Sequence, residues 1–66
     1  MAHMIIPGAL LAREAWEDFV LWLGPLPMDL NDKKYILINW AKIVGVALTH
    51  EMVKAVLGEL DERARG

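Results

Sequence analysis

The hydrophobic positions of the chain recur at helical spacing in three separate segments. Between residues 10 and 23, apolar side chains placed about 100° apart fall on one broad face, and the charged side chains fall on the other. Gly24 and Pro25 follow directly, and a glycine followed by a proline is a strong helix stop. The pattern therefore predicts a first helix over residues 9–22.

A second helix is predicted over residues 30–45, after a stiff connector that contains two prolines. Asp29 or Asp32 can cap its first turn, since a carboxylate accepts hydrogen bonds from the free N–H groups there. Gly45 can either end this helix or lie within a longer one. The residues predicted to face the core of the chain are Ile36, Trp40, Ile43, Val44 and Ala47.

A third apolar stripe follows residue 51, and it would point away from the second one if a single helix ran through both. A turn resolves this conflict, with Thr49 as the N-cap of a new helix. The sequence therefore predicts an all-α fold, a small three-helix bundle with helices near residues 9–22, 30–45 and 50–64.

Length and composition predict one domain that self-associates. The opening MAHM is typical of a remnant of an expression tag, which leaves residues 5–66 as a single helical domain. Chains below roughly 70–80 residues usually need an added staple, and the absence of cysteine excludes disulfides. Because 56% of the residues are hydrophobic, we expect a second copy to cover part of the surface, most simply in a twofold dimer.

Several large apolar residues fall at helix ends or on otherwise polar arcs. Trp22 stands at the predicted end of the first helix, and tryptophan is favoured as an interface anchor. The residues predicted to form an interface are Leu10, Leu21, Trp22, Tyr35, Ile38 and Val46.

Residues 34–60 resemble a helix-turn-helix, a pattern in which a short turn joins two helices. In this alternative the protein is a DNA-binding regulator. Its phosphate contacts would be Lys33, Lys34, Lys42 and Lys54. The net charge of −2 and the acidic residues of the third helix make nucleic acid the less favoured partner.

The residue types for catalysis and metal binding are scarce. The chain has one threonine and neither serine nor cysteine, so it offers few nucleophiles. His50 has Val53 and Lys54 three and four positions later, where a helical metal site would need ligands. We therefore predict no enzymatic activity, no metal and no cofactor. The acidic residues Glu14, Glu17 and Asp18 are interpreted as a solvated face.

Asn39 and Lys42 interrupt the central apolar run well short of the roughly 20 residues that a membrane span needs. We therefore expect no membrane association, and a cytoplasmic location because no signal peptide is evident. The predicted function is a non-enzymatic protein–protein interaction, regulatory or assembly module that acts as a homo-oligomer. A weaker alternative is a small hydrophobic-ligand carrier in which Trp40 and Met52 line a cavity.

Overall fold

Three α-helices account for most of the structure. This computed structural model describes residues 6–65, with side chains as far as Arg63, so the predicted tag remnant at residues 1–4 lies outside the described part. Two short 3-10 turns come first, and the elements that follow are α1 (Trp16–Leu23), α2 (Leu30–Val44) and α3 (His50–Arg65). The predicted all-α three-helix bundle is confirmed.

The first helix begins at Trp16 rather than at residue 9, and this is the main difference from the predicted bounds. Ala12 has extended backbone angles, with φ −147° and ψ 148°, which interrupt any helix through it. The Leu10 carbonyl accepts a hydrogen bond of 2.6 Å from the indole Nε1 of Trp40, instead of one from its own segment. A contact with a distant residue therefore replaces the local helical hydrogen bonds.

The N-terminal cap of α3 is the predicted one, and the cap of α2 is the first of its two predicted candidates. The Asp29 carboxylate accepts a hydrogen bond of 3.0 Å from the backbone N–H of Asp32. The Thr49 hydroxyl likewise accepts one of 3.1 Å from the backbone N–H of Met52. Each cap satisfies a donor that the first helical turn leaves free, which explains why local sequence located both starts.

Gly45 ends α2, which settles the choice that the sequence leaves open. Its φ of 78° lies in the left-handed region, and its N–H still donates to the Ala41 carbonyl. The guanidinium of Arg13, which precedes α1 in the chain, caps this helix end by donating to its free carbonyls. Arg13 Nε donates to the Val44 carbonyl at 3.1 Å, and Nη2 donates to the Gly45 carbonyl at 2.9 Å.

Replacing Gly45 by alanine is expected to lower the free energy of unfolding by about 1–2 kcal/mol, because the left-handed conformation costs that much for a residue with a Cβ. The new Cβ would also lie 3.1 Å from Nη2 of Arg13. Urea denaturation followed by far-UV circular dichroism measures the change.

Gly58 supplies a control of opposite sign for this substitution. It lies on the exposed side of α3, and a Cβ there would meet nothing within 4 Å. Gly58→Ala should therefore stabilise the protein by about 0.5–1 kcal/mol, the helix propensity difference. A Gly45→Ala protein as stable as the parent would contradict the assigned helix end.

The core lies between all three helices and is centred on aromatic rings. The Trp40 side chain is 1% exposed and stacks on Phe19 with ring centroids 4.8 Å apart. Trp16 approaches the other side of the cluster, 5.3 Å from the Trp40 centroid. The buried hydrophobic residues are Phe19, Val20, Leu23, Leu37, Trp40, Ala41, Val53, Val56 and Leu60.

The predicted core face of α2 is correct only in part. Trp40 is buried, and Ile36 and Val44 pack against the core while remaining half-buried. Ile43 is 61% exposed, and Ala47 is exposed in the loop beyond the helix. The predicted arc was too broad on one side, and Ala47 no longer follows helical periodicity because α2 ends at Gly45.

Candidate interaction surfaces

An apolar groove runs between α2 and α3, with a volume of about 340 Å³. Its floor comes from both helices and from the loop that joins them. The apolar lining residues are Ile38, Ala41, Val46, Leu48 and Val53. Helix α2 contributes Ile38 and Ala41, the loop contributes Val46 and Leu48, and α3 contributes Val53. We call this feature the α2–α3 groove.

The polar lining of the α2–α3 groove is basic. Lys34 and Lys42 flank Ile38 at intervals of four residues along α2, which places all three on one ridge. The imidazole of His50, the first residue of α3, lies at the opposite rim. Among the described side chains, no carboxylate lines the groove, although Glu51 follows His50 in sequence. An apolar floor with ammonium groups at its edge suits a ligand that is both apolar and anionic.

A second apolar feature lies on the outer side of α2. Tyr35 and Ile43 are each 61% exposed, and Asn39 lies exposed midway between them. The spacing of four residues puts these side chains on one continuous ridge, which we call the α2 ridge. Tyr35 was predicted to lie at an interface, but Ile43 was assigned to the core, so the ridge as a whole was not predicted.

The six predicted interface residues do not form one surface. Ile38 and Val46 meet in the α2–α3 groove, whereas Tyr35 lies on the α2 ridge. Leu21 is 54% exposed and lines a separate, more polar depression between α1 and α3.

The two remaining predicted interface residues are engaged within the chain. Trp22 packs against the core, with its ring centroid 5.9 Å from that of Phe19. Leu10 is half-buried, and its carbonyl accepts the hydrogen bond from Trp40. Trp22 therefore helps to hold its own domain together, and its role at an interface stays a prediction.

The four predicted phosphate contacts are also divided. Lys33 is 2% exposed, and its ammonium group donates a hydrogen bond of 2.5 Å to the Gly24 carbonyl, so it does not belong to a surface patch. Lys34 and Lys42 lie at the α2–α3 groove. Lys54 is exposed on α3 outside the groove. The predicted basic set is thus reduced to a pair and one separate lysine.

Trp40 and Met52, named for the ligand-carrier alternative, do share a concavity. It has a volume of about 280 Å³, and Arg13, Trp16, Val46 and Leu48 complete its lining. The guanidinium of Arg13 is already engaged with the end of α2, as described above. This concavity therefore offers an apolar surface but little free hydrogen-bonding capacity.

The histidine and acidic side chains of the described part do not cluster into a candidate metal site. Among residues 6–63 no group of three or more histidine or acidic side chains is placed to hold a metal ion. Glu17 and Asp18 on α1, and Glu14 just before it, are exposed, as predicted for a solvated face. In the same part of the chain, every buried side-chain nitrogen and oxygen has a hydrogen-bond partner.

None of the described helices combines the length and the apolar character needed to cross a lipid bilayer. No protein-family model, curated protein or solved structure matches this chain.

Proposed function

We propose that this protein is a small, non-enzymatic protein–protein interaction module that acts as a homodimer. The observation that carries the proposal is the exposure of Tyr35 and Ile43, each 61%, on one ridge of a helix whose opposite face fills the core. A domain of this size gains little stability from its own core, so covering a second apolar face by association contributes substantially. The scarcity of nucleophilic residue types supports a non-enzymatic role.

The α2 ridge is suited to contact its own copy. In an antiparallel pair of α2 helices with the twofold axis at Asn39, Tyr35 of one copy would lie against Ile43 of the other, and the reverse. The two Asn39 amides would meet at the axis, where each can donate and accept a hydrogen bond. Ridges of this spacing interdigitate at a crossing angle of about −50°. A polar pair within an apolar contact also favours one register over its neighbours.

The helix-turn-helix regulator has less support. The exposed residues of α3 include Glu51, Glu59 and Glu62, which phosphates would repel. Glu59 also pairs with Arg63 at 2.9 Å, which reduces the positive charge that this arginine offers to a nucleic acid. With Lys33 buried, the remaining lysines supply too few contacts to offset this repulsion.

Ile43→Glu is expected to weaken dimerisation by about tenfold or more, because a carboxylate would have to be desolvated against an apolar partner face. Sedimentation equilibrium across a micromolar concentration series measures the monomer–dimer equilibrium. Leu21→Glu is the matched control, because Leu21 is similarly exposed, at 54%, but lies on α1.

A parent protein that remains monomeric throughout the concentration series would refute the dimer. An effect of Leu21→Glu that equals that of Ile43→Glu would refute the assigned surface, even if the parent protein dimerises.

A further inference from the structure

We infer that the α2–α3 groove is a docking site for an acidic amphipathic helix of a partner protein. This site is distinct from the α2 ridge, since its lining includes Ile38 and Lys42 but neither Tyr35 nor Ile43. The inference therefore adds a second partner class to the proposed dimer and does not depend on it.

The shape of the groove suits two apolar anchors. Truncating one buried leucine leaves a cavity of roughly 150 Å³, so a groove of about 340 Å³ accommodates about two side chains of that size. An amphipathic helix presents such anchors three or four residues apart, the arrangement used when helices bind in apolar grooves. The floor residues Ile38, Val46 and Leu48 are half-buried, and Val46 and Leu48 already pack against the core, so binding orders few additional side chains.

The lysines at the rim of the groove favour a partner that carries negative charge. Lys34 and Lys42 project from the same ridge as Ile38, and lysine stems can lie along apolar surface while the ammonium groups reach its edge. Carboxylates beside the apolar face of a bound helix would meet these groups, whereas lysines there would be repelled. Because no acidic side chain lines the groove, its positive charge is not neutralised from within.

A second folded copy is a poorer occupant, although its α1 has an acidic outer face. Leu21 is the large apolar residue exposed on that helix, at 54%, and one leucine would fill less than half of the groove. The remaining apolar residues of α1, Phe19 among them, are committed to its own core. A nucleic acid would leave the apolar floor unused. An acidic partner helix with two free apolar anchors would fill the floor of the groove and pair with the lysines at its rim.

Two labelled synthetic peptides test this inference by fluorescence anisotropy. Both carry two leucines four positions apart in a stabilised helix, one with flanking glutamates and the other with lysines at the same positions. We expect saturable micromolar binding of the glutamate peptide, about tenfold or more tighter than that of the lysine peptide. Replacing both leucines by alanine should abolish the binding.

Single charge reversals then locate the site. Lys42→Glu should weaken binding of the glutamate peptide about tenfold. Arg63→Glu makes the same change of charge near the far end of α3, about 15 Å along the helix from the groove residue Val53 and so beyond the Debye length, and should alter the binding less than about threefold. Circular dichroism confirms that both variants remain folded. Equal effects of the two variants, equal affinity for the two peptides or binding without the leucines would each overturn the inference.

Competition experiments distinguish the partner helix from other occupants of the groove. Comparing peptide binding with sedimentation distinguishes this inference from the dimer proposal. Displacement of the peptide by excess unlabelled Ile43→Glu protein would favour a second copy, and displacement by duplex DNA would favour nucleic acid; either result overturns the inference. We expect neither. Peptide binding by a protein that sediments as a monomer would refute the dimer and leave the groove assignment standing. Dimerisation without peptide binding would refute the groove assignment and leave the dimer proposal standing.

Discussion

Replacing Trp40 by alanine is expected to lower the free energy of unfolding by about 3–5 kcal/mol, as for other buried aromatic truncations. The indole is 1% exposed, stacks on Phe19 at 4.8 Å and lies 5.3 Å from the ring of Trp16. Its Nε1 also donates the hydrogen bond that holds Leu10. Since a core of this size rarely supplies more than about 3–5 kcal/mol, the variant should be largely unfolded in buffer.

Trp40→Phe keeps the effect measurable if the alanine variant does not fold. Phenylalanine preserves most of the ring contact but leaves the Leu10 carbonyl without its donor, which should cost about 1–3 kcal/mol. Urea denaturation followed by circular dichroism gives both values, with exposed Leu21→Ala as a control expected to change stability by no more than about 0.5 kcal/mol. A Trp40→Ala protein as stable as that control would contradict the assigned core.

Lys33→Met is expected to destabilise the protein by about 1–3 kcal/mol, because it leaves a buried carbonyl unpaired. Methionine retains much of the lysine stem but cannot donate to Gly24, which is itself buried at the end of α1. The ammonium group also lies where the negative end of the α1 dipole favours a cation.

Lys34→Met is the matched control for this substitution. Lys34 is the next residue along the same helix, and it lines the groove while remaining half-buried. We expect its replacement to change stability by less than about 0.5 kcal/mol in the same urea experiment. Unchanged or increased stability of Lys33→Met would mean that desolvation of the ammonium group cancels its hydrogen bond, as happens for some buried charges.

The boundaries of α2 and α3 were predictable because their signals are local. Asp29 and Thr49 each cap the start of a helix. Each side chain accepts a hydrogen bond from the backbone N–H of the residue three positions later. Gly45 could be identified as a candidate end, although its left-handed conformation was not determined by the sequence pattern alone. The beginning of α1 was not predictable in the same way. Its apolar pattern continues upstream of Trp16, but Trp40 binds the backbone there from thirty residues away.

Only some of the residues that line the candidate site could be predicted from the sequence. Ile38 and Val46 were identified as apolar residues out of place, and both line the α2–α3 groove. The sequence did not indicate that Leu48 and His50 would join them, because this depends on how the connecting loop folds back. The burial of Lys33 could have been predicted from its position in the sequence. It precedes Leu37 by four residues and Trp40 by seven, so it shares their buried face of α2.

By itself the sequence determined the number of helices, two of their three starts and the apolar character of their inner faces. These follow from periodicity, caps and stop signals that act within a few residues. Only the tertiary structure decided which apolar residues stay exposed, which lysine is buried and where a groove forms. Those outcomes depend on which face of each helix meets another helix, and on backbone carbonyls such as those of Gly24 and Leu10 finding side-chain donors in a later helix. Helical periodicity defines a broad apolar arc, and packing selects the part of it that becomes core.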